Sequence, residues 1–478
     1  MTTVATTGSV AAIDLGATSG RVILGDVGPN ELRMQQLARF PNVPVSTPGG
    51  LHWNIGELYR NALVGLTAGF RQEPRLASIG VDSWAVDYAL LHDGRMLSEP
   101  FHYRDTRTAA GVEKTHAIVP FRELYRRNGL QFLPFNTVYQ LMAEVDSDRG
   151  IGCLTRADGM LLIPDLLTFW LTGERIAERT NASTTGLLDV VTGEWNTALL
   201  GQLHLPPALL PTLVDPGTRV GPLLPEVAKQ LGGTADVVAV GSHDTASAVV
   251  AVPMDAATSA YISCGTWGLV GVELEEPVLT DAAREANFTN EGGVDGRIRF
   301  LHNVMGLWLL SESVRSWEAD GHATDLAALL AAAASVTAPV AVFDADDPRF
   351  LTPGDMPARI AEYCREHDLV VPGSPAEFVR SIIESLADAF ATAVRTAAAL
   401  SGRSVETIHI VGGGSQNELL CQLTADRAGL PVLAGPVEAT AIGNILVQAR
   451  LQGFVDGSLE SLRSVVAAAF PPRRYTPR

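Results

Sequence analysis

The chain has 478 residues, which is longer than a single hydrophobic core usually supports, so its length favours two or more domains. Apolar residues make up 46% of the chain and charged residues 18%, which is the balance of an ordinary globular protein. The formal net charge is −18. Nucleic acids and anionic membranes bind basic surfaces, so this charge disfavours both as partners.

The sequence favours a reducing, cytoplasmic compartment. Its four cysteines are scattered without the paired spacing of a metal site or a disulfide framework. The N-terminal residues lack the basic and apolar segments of a secretion signal, and no uncharged apolar run reaches the roughly 18 residues of a membrane span. We therefore expect a cytoplasmic monomer or homodimer with no membrane partner. Lys114 and Lys229 are the only lysines and no P-loop motif is present, so any ATP is bound without a P-loop lysine.

The first predicted element is a β-hairpin near the N-terminus. Residues 10–26 contain two short apolar runs around a turn of small residues, which is the pattern of two paired strands. The same pattern returns at residues 259–272. A hairpin that opens each half of the chain predicts two domains of similar fold, joined near residues 250–257.

Elsewhere strands and helices alternate, as in an α/β protein. We predict two strands within residues 76–91, a strand at 407–411, and helices at 164–171, 374–400 and 419–428. The helix near residue 374 has the clearest start signal, because Ser374 can cap it and Glu377 can complete a capping box.

The turn after Asp14 is a candidate phosphate-binding loop. The backbone amides of its small residues can converge on an anion, Thr18 and Ser19 can add hydroxyl donors, and Arg21 can add charge. Asp14 itself is placed to hold a hydrated Mg²⁺ next to phosphates. A hairpin tip without a ligand is the alternative interpretation.

Asp244 is the best candidate for a general base. It follows the apolar run 235–240 and is surrounded by small residues that leave room for a ligand. In phosphoryl transfer to a hydroxyl, such a base orients the attacking oxygen and accepts its proton late, so an ordinary carboxylate suffices. The alternative is a structural aspartate that caps the following helix, 245–250.

Two further motifs are suggestive. The glycines at 412–414 follow a strand and precede a helix, so a base or ribose can approach closely and the helix dipole favours phosphate, although a purely structural turn is the alternative. Acids, an aromatic and arginines at 80–87 and 102–107 fit sugar recognition. Taken singly, Trp84 and Arg107 are better interpreted as a core residue and a salt-bridge partner.

These stretches resemble the FGGY family of carbohydrate kinases, which belongs to the actin-like, or ribonuclease H-like, ATPase superfamily. The matching stretches, in chain order, are residues 13–21, 81–87, 103–108, 131–137, 242–248, 265–267, 287–293, 303–310 and 412–417. The resemblance implies an α/β fold of two actin-like domains around a central cleft. It assigns the sugar and the phosphate loop to residues 8–253 and the nucleotide to residues 254–478.

The resemblance also implies the roles of individual residues. Asp244 becomes the proton acceptor, ATP the phosphate donor, Mg²⁺ the cofactor and L-rhamnulose the sugar, phosphorylated at its C1 hydroxyl. The implied sugar contacts are Ala85, His243, Asp244, Thr245 and Asn303. The implied nucleotide contacts are Ala17, Thr18, Ser19, Gly20, Arg21, Thr266, Ser311 and Gly413, with Asp14 at the metal.

The chain departs from the family pattern at two of these positions. Ala85 stands where the family usually has glycine, and its methyl group is expected to tighten the sugar pocket. Ser311 stands where the family commonly has a glutamine that contacts the nucleotide.

Three other functions compete with this one. A sister kinase for xylulose or fuculose stays open, because one methyl group in a pocket is worth only about 1–3 kcal/mol of discrimination. A non-catalytic actin-like nucleotide switch or filament subunit would explain the phosphate turns but not the acids and Trp84 at 80–87. A nicotinamide dehydrogenase is disfavoured because residues 412–414 do not form a GxGxxG motif.

Overall fold

The computed structural model describes residues 7–145 and 154–478 of the chain, so Cys153 lies outside the described residues. The chain divides into two compact units that are not continuous in sequence. The first unit comprises the residues up to Pro253, Leu274–Phe300 and Ala439–Phe470, and the second comprises Met254–Glu273, Leu301–Glu438 and Pro471–Arg478.

Strands and helices alternate along the first half of the chain. Its strands are β1 (Gly8–Leu15), β2 (Ser19–Gly28), β3 (Glu31–Pro41), β4 (Val45–Thr47), β5 (Gly50–His52), β6 (Ser78–Ser83), β7 (Tyr88–His92), β8 (Arg95–Met96), β9 (Gly159–Leu162), β10 (Ile176–Glu178), β11 (Thr212–Val214), β12 (Arg219–Pro222) and β13 (Asp236–Val238). Its helices are α1 (Ile55–Gln72), α2 (Thr108–Ile118), α3 (Phe121–Asn128), α4 (Thr137–Glu144), α5 (Ile163–Thr172), α6 (Arg179–Ala182), α7 (Thr197–Gln202), α8 (Pro225–Leu231) and α9 (Asp244–Val250).

Longer helices are characteristic of the second half. The strands there are β14 (Ser259–Cys264), β15 (Trp267–Leu274), β16 (Thr289–Gly292), β17 (Ile298–Met305), β18 (Thr407–Val411), β19 (Val432–Ala434) and β20 (Arg473–Tyr475). The helices are α10 (Asp281–Glu285), α11 (Trp308–Ala319), α12 (Leu326–Ala334), α13 (Met356–Glu366), α14 (Pro375–Ser401), α15 (Glu418–Ala428), α16 (Ala439–Leu451) and α17 (Leu459–Ala469). Within the described ranges, no helix combines the length and the apolar character that crossing a bilayer requires.

The first unit is built around a six-stranded mixed sheet in the order β12-β13-β6-β1-β2-β3. The antiparallel pair of β1 and β2 confirms the hairpin predicted at residues 10–26, and β6 and β7 confirm the two strands predicted within 76–91. β6 runs parallel to β1, and β13 runs parallel to β6. Because these three strands run in one direction, their carboxyl ends meet at a single edge of the sheet, which is where ligands bind in open α/β sheets.

Helices cover both faces of this sheet. α1 packs on the face that carries Val22, and Ile445 of α16 packs against Gly25. Successive strand residues point to opposite faces, so α1 and α16 lie on opposite sides of β2. The contact between α16 and α9 is closer still, because a Cβ on Gly443 would lie 1.8 Å from the carbonyl oxygen of Ser247.

The second unit has β14 at the centre of its sheet. β14 and β15 form the second predicted hairpin, with antiparallel pairs from Tyr261↔Gly271 to Cys264↔Gly268. β18 runs parallel to β14, β19 parallel to β18, and β20 closes the edge antiparallel to β19. The carboxyl ends of β14, β18 and β19 therefore also share one edge.

Two helices end where their sequence signals predict. α5 stops at Gly173, whose φ of 84° is left-handed. The Ser374 side chain accepts a hydrogen bond from the Glu377 amide at the start of α14, and the helix ends at Gly402. The Glu377 carboxylate reaches back to the amide of Gly373 rather than to that of the cap residue, so the capping box is displaced by one position.

The helix predicted at 419–428 is confirmed by α15, but the glycines at 412–414 do not lead directly into it. Residues Gly413–Gln416 form a 3₁₀ turn, and α15 begins only at Glu418, capped by the Asn417 side chain. The glycines that follow β18 therefore do not form the amino end of an α-helix.

Candidate active site

Three carboxylates come together at the carboxyl edge of the first sheet. Asp14 and Asp82 are register partners on the parallel strands β1 and β6. Ser83 forms a parallel bridge with His243, which carries the segment after β13 to the same edge and places Asp244 beside it. The structure thus brings together the predicted metal residue and the predicted base. It adds Asp82, to which the sequence assigned no separate role.

Asp82 has an unusual environment. Its side chain is completely buried, and burial followed by the negative charge of Asp14 raises its pKa well above the ordinary value. Asn444 Nδ2 donates to Asp82 Oδ2 at 2.5 Å, and Gln448 holds Asn444 in turn. Among the described residues, Asp82 Oδ1 has no hydrogen-bond partner. A buried acceptor without a donor is the kind of group that a bound cation or water would satisfy.

The predicted phosphate turn is held in a defined shape. Asn42 donates from its side chain to the carbonyl of Gly16 and from its backbone amide to the carbonyl of Thr18. Behind the turn, Arg21 Nε donates to Asp14 Oδ2 at 3.0 Å. Residues 16–18 join the carboxyl end of β1 to the start of β2, so the turn lies at the same edge of the sheet as the three carboxylates.

Asp244 is the first residue of α9, but it is not the helix cap. The cap position is His243, and no side-chain hydrogen bond caps this helix. The Asp244 side chain is 29% exposed, and its Oδ1 accepts a hydrogen bond from Thr245 Oγ1 at 3.1 Å. The alternative interpretation of Asp244 as a structural cap is therefore wrong, and the carboxylate remains accessible to a ligand.

Glu178 anchors the backbone just before Asp244, a role that no sequence motif indicates. It is buried and accepts hydrogen bonds from both the amide and the hydroxyl of Ser242, at 2.9 and 2.8 Å. It also caps the short helix α6 by accepting from the amides of Thr180 and Asn181. Burial raises the pKa of Glu178, and the Thr180 and Ser242 donors oppose that shift. Glu178 lies in no recognisable motif, so only the fold reveals its role.

Ala85 sits at a strained turn. The amide of Asp87 donates to the carbonyl of Ala85 at 2.8 Å, which closes a three-residue γ-turn, and the central residue, Val86, has a φ of 65°. This conformation is costly for a β-branched residue and persists only where neighbouring contacts impose it. Thr137 Oγ1 and Gln140 Nε2 both donate to the carbonyl of Val86. Thr137 belongs to the stretch 131–137 that the sequence singled out.

Asp87 ties this turn to an aromatic cluster. Its carboxylate is buried and accepts four N–H donors, from Trp53 Nε1 (2.6 Å), Trp84 Nε1 (3.1 Å), the Tyr103 amide (3.1 Å) and Gln140 Nε2 (2.7 Å). Trp84 is only 5% exposed. Arg107 lies 3.5 Å from Glu144 and over the ring of Phe101. Both residues thus have the structural roles that the sequence favoured for them.

The Asp87 carboxyl predicts a pH dependence of stability. Burial raises the pKa of Asp87 to about 7, well above the roughly 3.9 of an unperturbed aspartate. The folded state then binds more protons between these two values, so the stabilisation is fully present below about pH 4 and is lost as the pH rises through about 7.

We expect the free energy of unfolding of the wild type to fall, relative to Asp87→Asn, by up to about 1.4 kcal/mol per pH unit across this window. Urea denaturation of both proteins between about pH 4 and about pH 8 measures the difference. A difference that stays constant with pH would contradict it.

The predicted nucleotide residues of the second unit gather at the end of β14. The carbonyl of Gly265 accepts from the amide of Leu307, and the carbonyl of Thr266 accepts from the amide of Trp308, the first residue of α11. Ser311 lies in the first turn of this helix. A Cβ on Gly414 would lie 2.2 Å from Cys264 Sγ, so the glycine turn packs on the same strand end. Gly413 is exposed, and a Cβ there would meet no atom within 4 Å. Packing therefore does not explain why residue 413 is glycine.

The predicted sugar residues are divided between the units. Ala85 and residues 243–245 belong to the first unit, at the edge that carries the three carboxylates. Asn303, on β17, belongs to the second unit.

Family models match nearly the whole chain. The model for the N-terminal domain of the FGGY family of carbohydrate kinases matches residues 9–251, and the model for its C-terminal domain matches residues 260–451. A rhamnulokinase of Bacteroides thetaiotaomicron is 40% identical over 469 residues, covering 98% of this chain and 95% of that protein. A rhamnulokinase of Pectobacterium carotovorum is 42% identical over 473 residues, covering 98% of this chain and 93% of that protein.

Solved structures share the fold. A xylulose kinase from Lactobacillus acidophilus superposes with a TM-score of 0.79 at 16% identity, covering 98% of this chain and 94% of that one. Plasmodium falciparum glycerol kinase with ADP gives a TM-score of 0.76 at 15% identity, covering 99% of this chain and 94% of that one. These structures define an α/β protein with the actin-like ATPase fold. The chain belongs to the FGGY family of carbohydrate kinases, and it is accordingly an ATP-dependent sugar kinase.

Proposed function

We propose that this kinase transfers the γ-phosphate of ATP to the C1 hydroxyl of L-rhamnulose and forms L-rhamnulose 1-phosphate. The substrate is supported by relatives named rhamnulokinase, which are 40% and 42% identical over 98% of the chain. The chemistry is supported by one observation above all. Asp244 presents a 29% exposed carboxylate at the edge of the sheet that also carries the small-residue turn after Asp14.

Asp244 is assigned as the proton acceptor. The C1 oxygen attacks the γ-phosphorus, the bond from that phosphorus to the β–γ bridging oxygen breaks, and ADP leaves. The hydroxyl proton passes to the Asp244 carboxylate. Because the transition state is loose, the main work of this carboxylate is to orient the attacking oxygen, and it accepts the proton late.

The turn from Ala17 to Arg21 is assigned to the phosphates. Its amides and hydroxyls can donate to phosphate oxygens, and Arg21 is already oriented by Asp14. The chemistry of the site fits Mg²⁺, because Asp14 offers a carboxylate and the buried Asp82 Oδ1 beside it has no partner among the described residues. Asp14 would hold the ion, which would supply positive charge to the nucleotide phosphates when bound.

The remaining assignments concern the rest of the nucleotide and one sugar contact. Thr266, Ser311 and Gly413 are assigned to ATP, supported by their grouping at the end of β14 and by the open space over Gly413. Asn303 is assigned to the sugar on the family pattern alone. A cytoplasmic location is proposed from the cysteine pattern of the sequence, which the buried, unpaired Cys264, Cys364 and Cys421 support.

A ketose panel tests the substrate. ADP release is measured with pyruvate kinase and lactate dehydrogenase as coupling enzymes. We expect kcat/KM for L-rhamnulose to exceed that for D-xylulose by about 10-fold or more, because a missing methyl group in a fitted pocket is worth about 1–3 kcal/mol. The product is expected to carry phosphate on C1, which ³¹P–¹H correlation detects. A preference for xylulose or fuculose would make the chain a sister ketose kinase. ADP release that does not depend on sugar, with assembly of filaments in ATP, would favour the nucleotide switch.

A further inference from the structure

A buried arginine stands behind the proposed base. Arg299, near the start of β17, has no exposed surface, and its Nε donates to the carbonyl of Gly292 at 2.9 Å. Its Nη2 lies 3.2 Å from Glu291 Oε2 and 3.0 Å from His243 Nδ1. All of these residues belong to the first unit. A desolvated guanidinium is costly unless its charge is paired, so the contacts with Glu291, Gly292 and His243 hold Arg299 in place. Among the described residues, its Nη1 has no hydrogen-bond partner.

The contact with Arg299 fixes the protonation of the histidine ring. A guanidinium has only donors, so the 3.0 Å hydrogen bond from Arg299 Nη2 requires Nδ1 of His243 to accept, although Glu291 Oε2 lies 3.3 Å from the same nitrogen. The neutral imidazole then carries its hydrogen on Nε2. His243 Nε2 lies 3.4 Å from Asp244 Oδ1. Thr245 Oγ1 donates to the same oxygen. The Thr245 hydrogen bond and the nearby Nε2–H group of His243 both lie on the Oδ1 side of the carboxylate, which leaves the other oxygen, Oδ2, for the substrate hydroxyl.

We propose that Arg299 is a positioning residue for phosphoryl transfer: it holds His243 as the Nε2–H tautomer, and His243 in turn orients the Asp244 carboxylate. This inference rests on the proposed role of Asp244 as the proton acceptor. Arg299 lies in no motif that the sequence identified, and its contact with His243 spans 56 positions.

Removing the arginine changes the charges around His243 in a defined way. Asp244 and Glu291 contact the ring from α9 and β16, and Arg299 contacts it from β17. Glu178 reaches this segment through Ser242 and Thr180, and the carboxylate of Asp82 lies at the same edge of the sheet. Without the Arg299 cation, the imidazole lies between two carboxylates and is expected to bind a second proton. A doubly protonated ring donates to both carboxylates, which makes Asp244 a weaker proton acceptor.

The test compares Arg299→Met with the wild type from about pH 8 to about pH 6, the range in which histidines titrate. We expect kcat of the variant to be lower by about 10-fold or more at the upper pH, because a displaced base loses alignment. The ratio of wild-type to variant kcat is expected to grow as the pH falls. KM for ATP is expected to stay near the wild-type value. A folded Arg299→Met enzyme with a ratio that does not change with pH would overturn the proposal.

Arg463→Met is the matched control. Arg463 is also a buried arginine of the first unit, 2% exposed, and it donates to the carbonyl of Val249 at the far end of α9. Its loss is expected to lower Tm with no change of the kcat ratio with pH. If Arg299→Met folds poorly because the buried Glu291 carboxylate loses this ion pair, the double variant Glu291→Gln/Arg299→Met removes both charges. We expect the double variant to have a lowered kcat, and a wild-type kcat in it would also overturn the proposal.

A measurement without substrate separates this inference from the proposed function. In protein labelled with ring-¹⁵N histidine, with the His243 signal assigned from its loss in His243→Gln, we expect the wild type to show the Nε2–H tautomer. Arg299→Met is expected to show a doubly protonated ring at about pH 6. An Nδ1–H tautomer in the wild type would overturn the proposal even if the enzyme phosphorylates L-rhamnulose. A wild type that phosphorylates no ketose would overturn the proposed function, and the tautomer would still be measurable.

Discussion

Asp244→Asn is expected to lower kcat by about 10²–10⁴-fold, which is the usual contribution of a positioned general base. Asparagine keeps the size of the side chain and can still accept from Thr245 Oγ1, but it cannot take up the proton of the sugar hydroxyl. KM for the sugar is therefore expected to remain near the wild-type value. The fold is expected to be unaffected, because Asp244 does not cap α9 and its side chain is 29% exposed.

The control for this substitution is Asp236→Asn, on the strand that leads to the site. Asp236 forms a surface ion pair with Arg219, and such pairs contribute about 0–1 kcal/mol. Steady-state kinetics and thermal unfolding of the three proteins are compared. If Asp244→Asn turns over at a rate close to that of the wild type, another group accepts the proton.

Glu178→Gln is expected to lower both stability and turnover. Glu178 Oε2 accepts from four groups: the hydroxyl of Thr180, the amide of Asn181, and the amide and hydroxyl of Ser242. Its Oε1 accepts from the amide of Thr180. Glutamine has only one acceptor oxygen, so at least one buried donor faces an NH₂ group, and each unsatisfied group costs about 1–3 kcal/mol.

The expected fall in Tm is about 2–4 °C for each kcal/mol lost. Turnover is expected to fall by up to about 10²-fold. Ser242 is two residues before Asp244, so loosening Ser242 would shift the Asp244 carboxylate, and a small shift of a general base lowers the rate strongly. Glu194→Gln is the control, since Glu194 is 65% exposed and lies 3.4 Å from Arg179 of the same region. Unchanged Tm and kcat in Glu178→Gln would mean that the segment before Asp244 is held by other contacts.

The predictions that succeeded rest on local signals. The two hairpins follow from apolar runs around small-residue turns, and their pairing is short-range in the chain. α14 follows from Ser374 at its start and Gly402 at its end. One interpretation, that the glycines at 412–414 lead directly into a helix, is wrong for an equally local reason. Glycines before an amphipathic stretch resemble a helix start, but Asn417 provides the cap, and a 3₁₀ turn precedes it.

Several site features could not be predicted in the same way. Asp14, Asp82 and Asp244 meet because β1, β6 and β13 are neighbours and parallel, a pairing that no local pattern encodes. The return of Ala439–Phe470 to the first unit is likewise invisible in the chain order. It brings Asn444 to Asp82 across 362 positions.

The sequence by itself determined the fold class, the family and which kinds of side chain occupy the site. It could do so because the residues of motifs such as 13–21 and 242–248 are neighbours in the chain. Only the tertiary structure decided what surrounds each ionisable group. Burial and the charge of Asp14 hold the pKa of Asp82 high, and Arg299 fixes the ring of His243. Protonation depends on desolvation and on nearby charges, and both are set by residues that are distant in the chain and adjacent only after folding.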